Sequence, residues 1–576
     1  MYIERIESGM GASRETKYTA YPTPGKQFMA ALPDTPVACL VASAVAEPSS
    51  IEWKYFAIGG ETLYWIEAAY SGDTYLGTAH SIGTVAKQVL PDTGGQLFPG
   101  QIVVLGINQI FVVVAGRAWL AAYGAPISGS ALSSGGSGYA AGDTGIIYTG
   151  LAPAAYVVDS VDGDGAVLSF TITGTGSGYA EADAVATQPE GLQPGAGTGF
   201  AIDISSVGTD AWVLVDQYTF MNEIANSDTY IMSATFLDGY LIISFAPNSG
   251  DPNRRQFYIS GANNPLAWNA LDFGLKEGAP DSMMMVYAAY QILILFGLRT
   301  TEFWQDSGNV LFPFQRISGG AVMEYGIASN RCVSKVGDSA MWLGQDSRGS
   351  RVAWKLQGQT PMRVSNHAVE NAWEQLDVGN AISSSYSENG HFFWCIHFPA
   401  ADRTFVYDDS LGPAMGWHER AYWDGAEFHA DLARFHCIYN LGPHVVGDYS
   451  NGNLYVQSMQ VLQDNCMNIR RVRVTPHINN ERKRILYQRL RLNCLTGVVP
   501  SSGSGSDPVM SLRISNDGGR SYGPYLDVNV GTTGQYTKLV EWYHLGYSRD
   551  RVFEWSCSEP IDIVLVDGFV EFTAGT

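Results

Sequence analysis

Apolar residues along this chain fall in short runs broken by turn dipeptides, and almost nowhere do they recur with a helical period. Asp238-Gly239 sits inside FLDGYLIISF, Asn389-Gly390 precedes HFFWCIHF, Asn451-Gly452 precedes NLYVQS, and Asp567-Gly568 splits IDIVLVDGFVEF. Asn-Gly and Asp-Gly tolerate the positive φ angles of tight turns, so each pair predicts a β-hairpin. Consecutive hairpins without helices between them predict an all-β chain built as a propeller, sandwich or barrel. The longest apolar run, Met283–Leu298, is shorter than the ~20 residues of a membrane helix and contains Gln291. Its aromatic and β-branched residues predict two buried strands joined by a tight turn near Ala288–Gln291. No stable membrane insertion is expected.

Changes of pattern divide the chain. A β-propeller is predicted for 31–125 and 208–460, preceded by an N-terminal arm over 1–30. Trp268, Trp304, Trp342, Trp354, Trp373, Trp394 and Trp417 punctuate it too irregularly to give a blade count. Residues 126–207 are rich in Gly, Ala, Ser and Thr, and Ser137-Gly138-Tyr139-Ala140 returns as Ser177-Gly178-Tyr179-Ala180. Two copies are too few for a solenoid, so a small β-module of two similar halves, inserted in a propeller loop, is expected. Residues 461–576 form a C-terminal β-domain, a sandwich-like platform, and VVPSSGSGSDP (498–508) reads as a flexible loop within it.

Composition supports strands. Gly accounts for 64 of 576 residues, and only 16% are charged against a usual ~25%, so long amphipathic helices lack their wet face. Net charge is −22, which suits ordinary solubility, or a wall that DNA slides past, better than a surface that grips phosphates. The seven Cys include no CxxC pair and read as reduced core residues of a protein assembled in cytoplasm. The charged start MYIERIESGMGASRETKYTA argues against secretion.

Candidate chemistry is thin. His391, Cys395, His397, His418, His429, His436, Cys437 and His444 crowd one region, and Cys395 and His397 share a strand face, but no second ligand pair has zinc spacing. Ordinary packing is expected. Asp162-Gly163-Asp164-Gly165 resembles part of a calcium loop without its later ligands and is expected to be a tight turn. Carboxylate pairs such as Asp408-Asp409 are not distinguished from others, and no Ser/His/Asp signature occurs. No catalytic residue, metal or cofactor is assigned.

The sharpest local signal is basic. Between 466 and 500 lie Arg470, Arg471, Arg473, Arg482, Lys483, Arg484, Arg489 and Arg491 against one acid, Glu481, a local +7 that leaves −29 elsewhere. Arg471 and Arg473 alternate with Val472 and Val474, which predicts an arginine face in solvent and a buried valine face. Arg470, Arg471, Arg473, Arg482, Lys483 and Arg484 are therefore the candidate contact with an acidic subunit or adaptor, with a solvated face and direct DNA contact as alternatives.

Several strings in order carry a resemblance. They are Pro22-Thr23-Pro24-Gly25, Leu63-Tyr64-Trp65, QFYISGANNPLAWNALDF with Pro280-Asp281, and LFGLRTTEFWQDSGNVLFPFQRISGG. Then follow MWLGQDSRGSRVAWKLQGQTPMRVSNHAVE, FVYDDSLGPAMGWHER, SNDGGRSYGP and GYSRDRVFEW. The chain resembles the packaged-DNA-stabilisation, or tail-nozzle, proteins of short-tailed phages, while 126–207 resembles Gly-Ser-Gly-Tyr modules of phage tail and fibre proteins. The resemblance implies a homohexameric ring in the virion tail, below the portal and its adaptor. Spikes or fibres would surround it, a needle or plug would close it, and double-stranded DNA would pass without sequence recognition. Two rivals are a tail-associated polysaccharide-degrading enzyme and a receptor-binding adhesin on the same scaffold.

Overall fold

The computed structural model describes residues 3–574 except 9–14, 21–22, 35, 48–49, 72–73, 86–99, 190–196, 218–220, 222–223, 225–229, 246–254, 290, 318–321, 346–348, 350, 359, 439–442 and 449. Strands dominate it, with one short α-helix, His367–Trp373, among the described residues. That helix starts where Asn366 accepts a hydrogen bond from the Val369 amide at 3.0 Å, a side-chain cap.

Seven sheets, antiparallel but for one parallel pairing of Lys26 with Asp464, follow one another as blades in the described part of 25–464 and close into a ring. The first blade runs Val37–Glu47, Ser50–Gly59, Thr62–Ser71, Thr74–Thr84, each strand pairing with the next. Blades two to six begin at Gln101, Ile231, Met283, Gly326 and Ile382. The seventh takes Ala433–Ile438, His444–Asp448 and Asn453–Ser458 from the end of the ring, and its fourth strand is Gly25–Ala31. Gly25–Ala31 lies largely within the segment expected as an arm, so most of that strand is part of the ring. Ile3–Ser8 and Glu15–Ala20 form a hairpin that reaches the C-terminal sheet, where Ala20 pairs with Leu565.

Apolar side chains fill the spaces between blades. Val45, Phe56 and Leu63 of the first pack on Ile110, Val112 and Trp119 of the second, and Ile242, Phe257 and Leu293 join the third and fourth. Alternation on each strand puts one set of side chains against each neighbouring blade, so every inner sheet is apolar on both faces.

The hairpin signals hold in most places. Asp238 and Gly239 take φ +49° and +87° between paired Leu237 and Tyr240, and Asn389 and Gly390 do the same between Glu388 and His391. Met283–Ala289 and Ile292–Gly297 are the two strands expected in the long apolar run, with Gln291 at φ +59° in the turn. Asp567-Gly568 is not a turn. It lies inside Leu565–Ala574, paired with Asn493 and Leu492, because a long neighbouring strand, Ile485–Cys494, keeps that backbone extended past an irregularity in register. Among the described residues no helix is long and apolar enough to cross a membrane.

Residues 127–207 fill the hairpin between the last two strands of the second blade. Tyr123 and Gly124 pair directly with Trp212 and Ala211, so the blade is complete without the insert. The insert makes two sheets of its own, one from Ile127–Ser137, Thr198–Val207 and Ala182–Ala186, the other built around Ala154–Val161. Its core is aromatic: Phe200 meets Tyr139, Tyr156 and Phe170 edge-on at 5.8, 5.0 and 5.3 Å. The repeated tyrosines are both buried, each following a glycine at positive φ, Gly138 and Gly178. Tyr179 Oη donates to the Ile147 carbonyl at 2.6 Å and accepts from the Ala154 amide at 2.7 Å. The Asp162–Gly165 segment is a hairpin turn in which Asp162 accepts from the amides of Asp164 and Ala166.

The C-terminal unit packs two sheets face to face around Tyr487, Leu490, Met510, Leu512, Trp542 and Phe553. The 498–508 loop is held in turns, with the Ser506 amide on Gly503 O and Gly505 buried against Ile561 and Pro560.

Candidate functional surfaces

Three places in this framework gather charged side chains. The first is the axis of the propeller. A cavity of about 250 Å³ there touches all seven blades, through Cys39, Gln101, Ile231, Met285, Val333, Ile382 and Phe435. Arg331 reaches across it from the fifth blade to donate to the Gly100 carbonyl at 2.9 Å, and burial pushes its pKa down to about 9. A cavity of that volume holds a few small molecules at most, so a nucleic-acid duplex cannot thread a single propeller.

The second is the seam where the ring closes. Lys26, fully buried on Gly25–Ala31, meets Asp431 at 2.6 Å and Asp464 at 3.1 Å. Burial works against its charge, but the two carboxylates outweigh it and hold the ammonium above its ordinary pKa. Arg420 extends the cluster, donating to Tyr386 Oη at 2.5 Å and lying 3.8 Å from Asp431. The histidines of this region divide: His429 bonds to Asp402 at 2.8 Å and Asp424 at 3.3 Å, and His391 to Asp408 at 2.8 Å. His397 sits between Ser384 and Thr404 hydroxyls, and burial lowers its pKa to about 3. Among the described residues no three His, Cys, Asp or Glu side chains gather as a metal site. All seven thiols are free, four buried, and Cys466 is exposed rather than in a core.

The third is the basic segment, and the structure splits it. Arg471–Val474 is an edge strand of the C-terminal sandwich, paired with Asp550–Cys557. Its faces are reversed from the expectation: Arg471 is 3% exposed and Val474 51%. The sixth blade covers the arginine face, so Arg471 is removed from any open subunit surface. Arg473 is also largely covered, and it donates to the Val472 carbonyl at 2.9 Å. Arg470 donates to the hydroxyls of Ser556, Ser558 and Tyr525 and lies over the Trp423 ring at 4.9 Å. Arg482, Lys483 and Arg484 are different. They stand exposed on a turn in which Glu481 and Arg482 take positive φ. Arg549 pins that turn by donating to the Arg482 carbonyl at 2.9 Å, and Arg484 stacks on Tyr547 at 4.6 Å.

Sequence reasoning missed Lys26, Asp431 and Asp464, which lie far apart in the chain and have no motif.

Comparison with known proteins fits this architecture. The family described as "Bacteriophage P22 Gp10, beta-propeller" matches residues 201–461, and that described as "Bacteriophage P22 Gp10, beta-sandwich" matches 470–573. No curated protein sequence matches significantly. Among solved structures, the yeast (S. cerevisiae) core factor superposes at TM-score 0.33 and 7% identity, over 76% of this chain and 60% of that one. The N-terminal domain of Nup159 gives TM-score 0.34 and 6% identity, over 76% and 95%. The chain thus spans about 60% of the first of these. The two family matches fall in order on the propeller and the sandwich, and the chain belongs to the phage P22 Gp10 family, structural tail proteins of the virion that stabilise packaged DNA.

Proposed function

We propose that this protein is the nozzle, or hub, subunit of a short-tailed phage. Copies form a ring, a homohexamer, below the portal and its adaptor, which closes the DNA channel until ejection. The observation that carries the reading is the blocked propeller axis: Arg331 spans a cavity of about 250 Å³, so a family member that retains DNA needs an opening between copies. Charge fits as well. Six chains would carry 6 × −22 = −132, and an acidic lumen repels the duplex and lets it slide.

In this reading the exposed turn Arg482–Lys483–Arg484, stiffened by Arg549, meets an acidic face of the adaptor or the next subunit. The 127–207 module projects from one blade as a docking element for spikes or fibres, and a needle or plug closes the distal end. The protein acts without catalysis, and assembly takes place in the host cytoplasm.

Electron microscopy of the purified full chain, mixed with portal–adaptor complexes, tests this. A closed ring with an axial opening wide enough for duplex DNA is expected. Monomers that stay free of the complex would refute it. Reversing the exposed turn (R482E, K483E, R484E) should weaken attachment without altering the circular dichroism spectrum, since exposed charges contribute only ~0–1 kcal/mol per pair to folding.

A further inference from the structure

The cavity on the propeller axis holds a charge that the chain does not balance. Its lining is largely apolar, with Ile231, Met232, Met285 and Val333 around it, and among the described residues it includes no Asp or Glu. Arg331 is the cation there, and within its guanidinium only Nη2 has a partner, the Gly100 carbonyl at 2.9 Å. Nε is enclosed and bonds to nothing. Nη1 is likewise unbonded among the described residues, but it is not enclosed and lies open to the cavity.

The surrounding groups do not supply the missing charge. Burial lowers the Arg331 pKa, and Arg434 pushes it the same way. Cys39 alone acts in the guanidinium's favour, and burial holds that thiol above its ordinary pKa, which leaves it protonated and neutral at neutral pH. A buried cation without a counter-charge is costly. Lys26 at the seam shows the opposite arrangement, one ammonium held by two carboxylates.

A second donor stands in the same cavity. Asn330 Nδ2 spends one N–H on the Met232 sulfur at 3.6 Å, a weak acceptor, and has another N–H to give. Gln101, by contrast, is used up, since its side chain accepts from the Ala234 amide at 3.0 Å and donates to the Ala234 carbonyl at 2.7 Å. Arg331 and Asn330 thus offer N–H groups and one positive charge in an apolar chamber.

We propose that the propeller axis binds one weakly hydrated monovalent anion, chloride being the commonest, on Arg331 Nη1 and Asn330 Nδ2. One cation offsets one negative charge, so a phosphate dianion would enter with charge left unpaired, which is costly away from water. Apolar walls likewise favour an ion that gives up its hydration easily. The cavity of about 250 Å³ has room for such an ion beside retained water. An ion there sits where all seven blades converge, so its binding favours the closed propeller. The site does not depend on the ring of copies proposed above.

Chloride-35 NMR of the full chain tests this, because exchange with a protein site broadens the line of the free ion. The wild type should add linewidth that bromide displaces. R331M should weaken the site by about tenfold or more, the loss of a charge-assisted hydrogen bond. N330D, which puts a carboxylate in the same cavity, should also lose the added linewidth. Its melting temperature should stop responding to chloride, because the chain then carries its own counter-charge. Crystals of the wild type soaked in bromide should show an anomalous peak at Arg331 Nη1. No added linewidth with the wild type, or equal linewidth with the wild type and N330D, would overturn the site. If R331M fails to fold, N330D and the bromide peak decide, and bromide density that is absent from the axis would also overturn it. Phosphate that displaces chloride at lower concentration than bromide does would overturn the monovalent class.

Discussion

The propeller and the module inserted in it are both β-structures, but they are held together by different means. The module is closed by neighbours in sequence: Tyr139, Tyr156, Tyr179 and Phe200 surround one another within 127–207, and its hydrogen bonds stay largely local. The propeller is closed by residues 438 positions apart, Lys26 and Asp464, with Asp431 also on the Lys26 ammonium. A unit closed locally can be added or removed as a cassette, whereas a ring closed through its ends fails as a whole. The two should therefore respond differently to damage.

The largest effect is expected at the seam. Lys26→Met removes the cation that Asp431 and Asp464 share, leaving Arg420 3.8 Å from Asp431, and removing one partner of a buried pair costs about 3–5 kcal/mol. Denaturant unfolding should show that loss in the transition of the propeller. A loss confined to a few tenths would mean that the seam is held by its apolar strand alone. A smaller effect is expected from Tyr179→Phe, which strips the Ile147 carbonyl and the Ala154 amide of a buried partner, about 1–3 kcal/mol. Hydrogen exchange should register it in 127–207 and leave the blades protected. Faster exchange in the second blade would show that the two units share a core. The smallest effect is expected from deleting 127–207 and rejoining the flanks, because Gly124 already pairs with Ala211. The propeller should melt within about 0.5 kcal/mol of the full chain, the range of surface changes. A clear drop would make the module part of the scaffold.

Legibility followed the same division. Local signals were readable: Asp238-Gly239 and Asn389-Gly390 turn because their φ angles demand such residues, and the glycines of the repeated Ser-Gly-Tyr-Ala sit at positive φ. Asp567-Gly568 misled because the pairing of a long neighbouring strand overrides a turn-prone dipeptide. Tryptophans could not count blades. Trp342 and Trp394 lie on second strands, Trp304 and Trp354 on third strands, and Trp373 on the helix. At the basic segment, alternation identified two faces but not which one was inside. That depended on the sixth blade, whose residues precede Arg471 by some fifty positions and bear no pattern that points to it.

The placement of Gly25–Ala31 as the last blade's fourth strand also sets a clock. During synthesis this strand emerges early and waits for Asn453–Ser458, 422 residues from Ala31 to Asn453 (453 − 31). At a ribosomal rate of ~5–20 residues per second that interval is roughly 20–85 s. Throughout it, both its edges and the partly built seventh position are open to strand pairing with other nascent chains. A phage making many copies at once on crowded polysomes therefore exposes this protein to strand exchange between neighbours until each ring has met its own beginning.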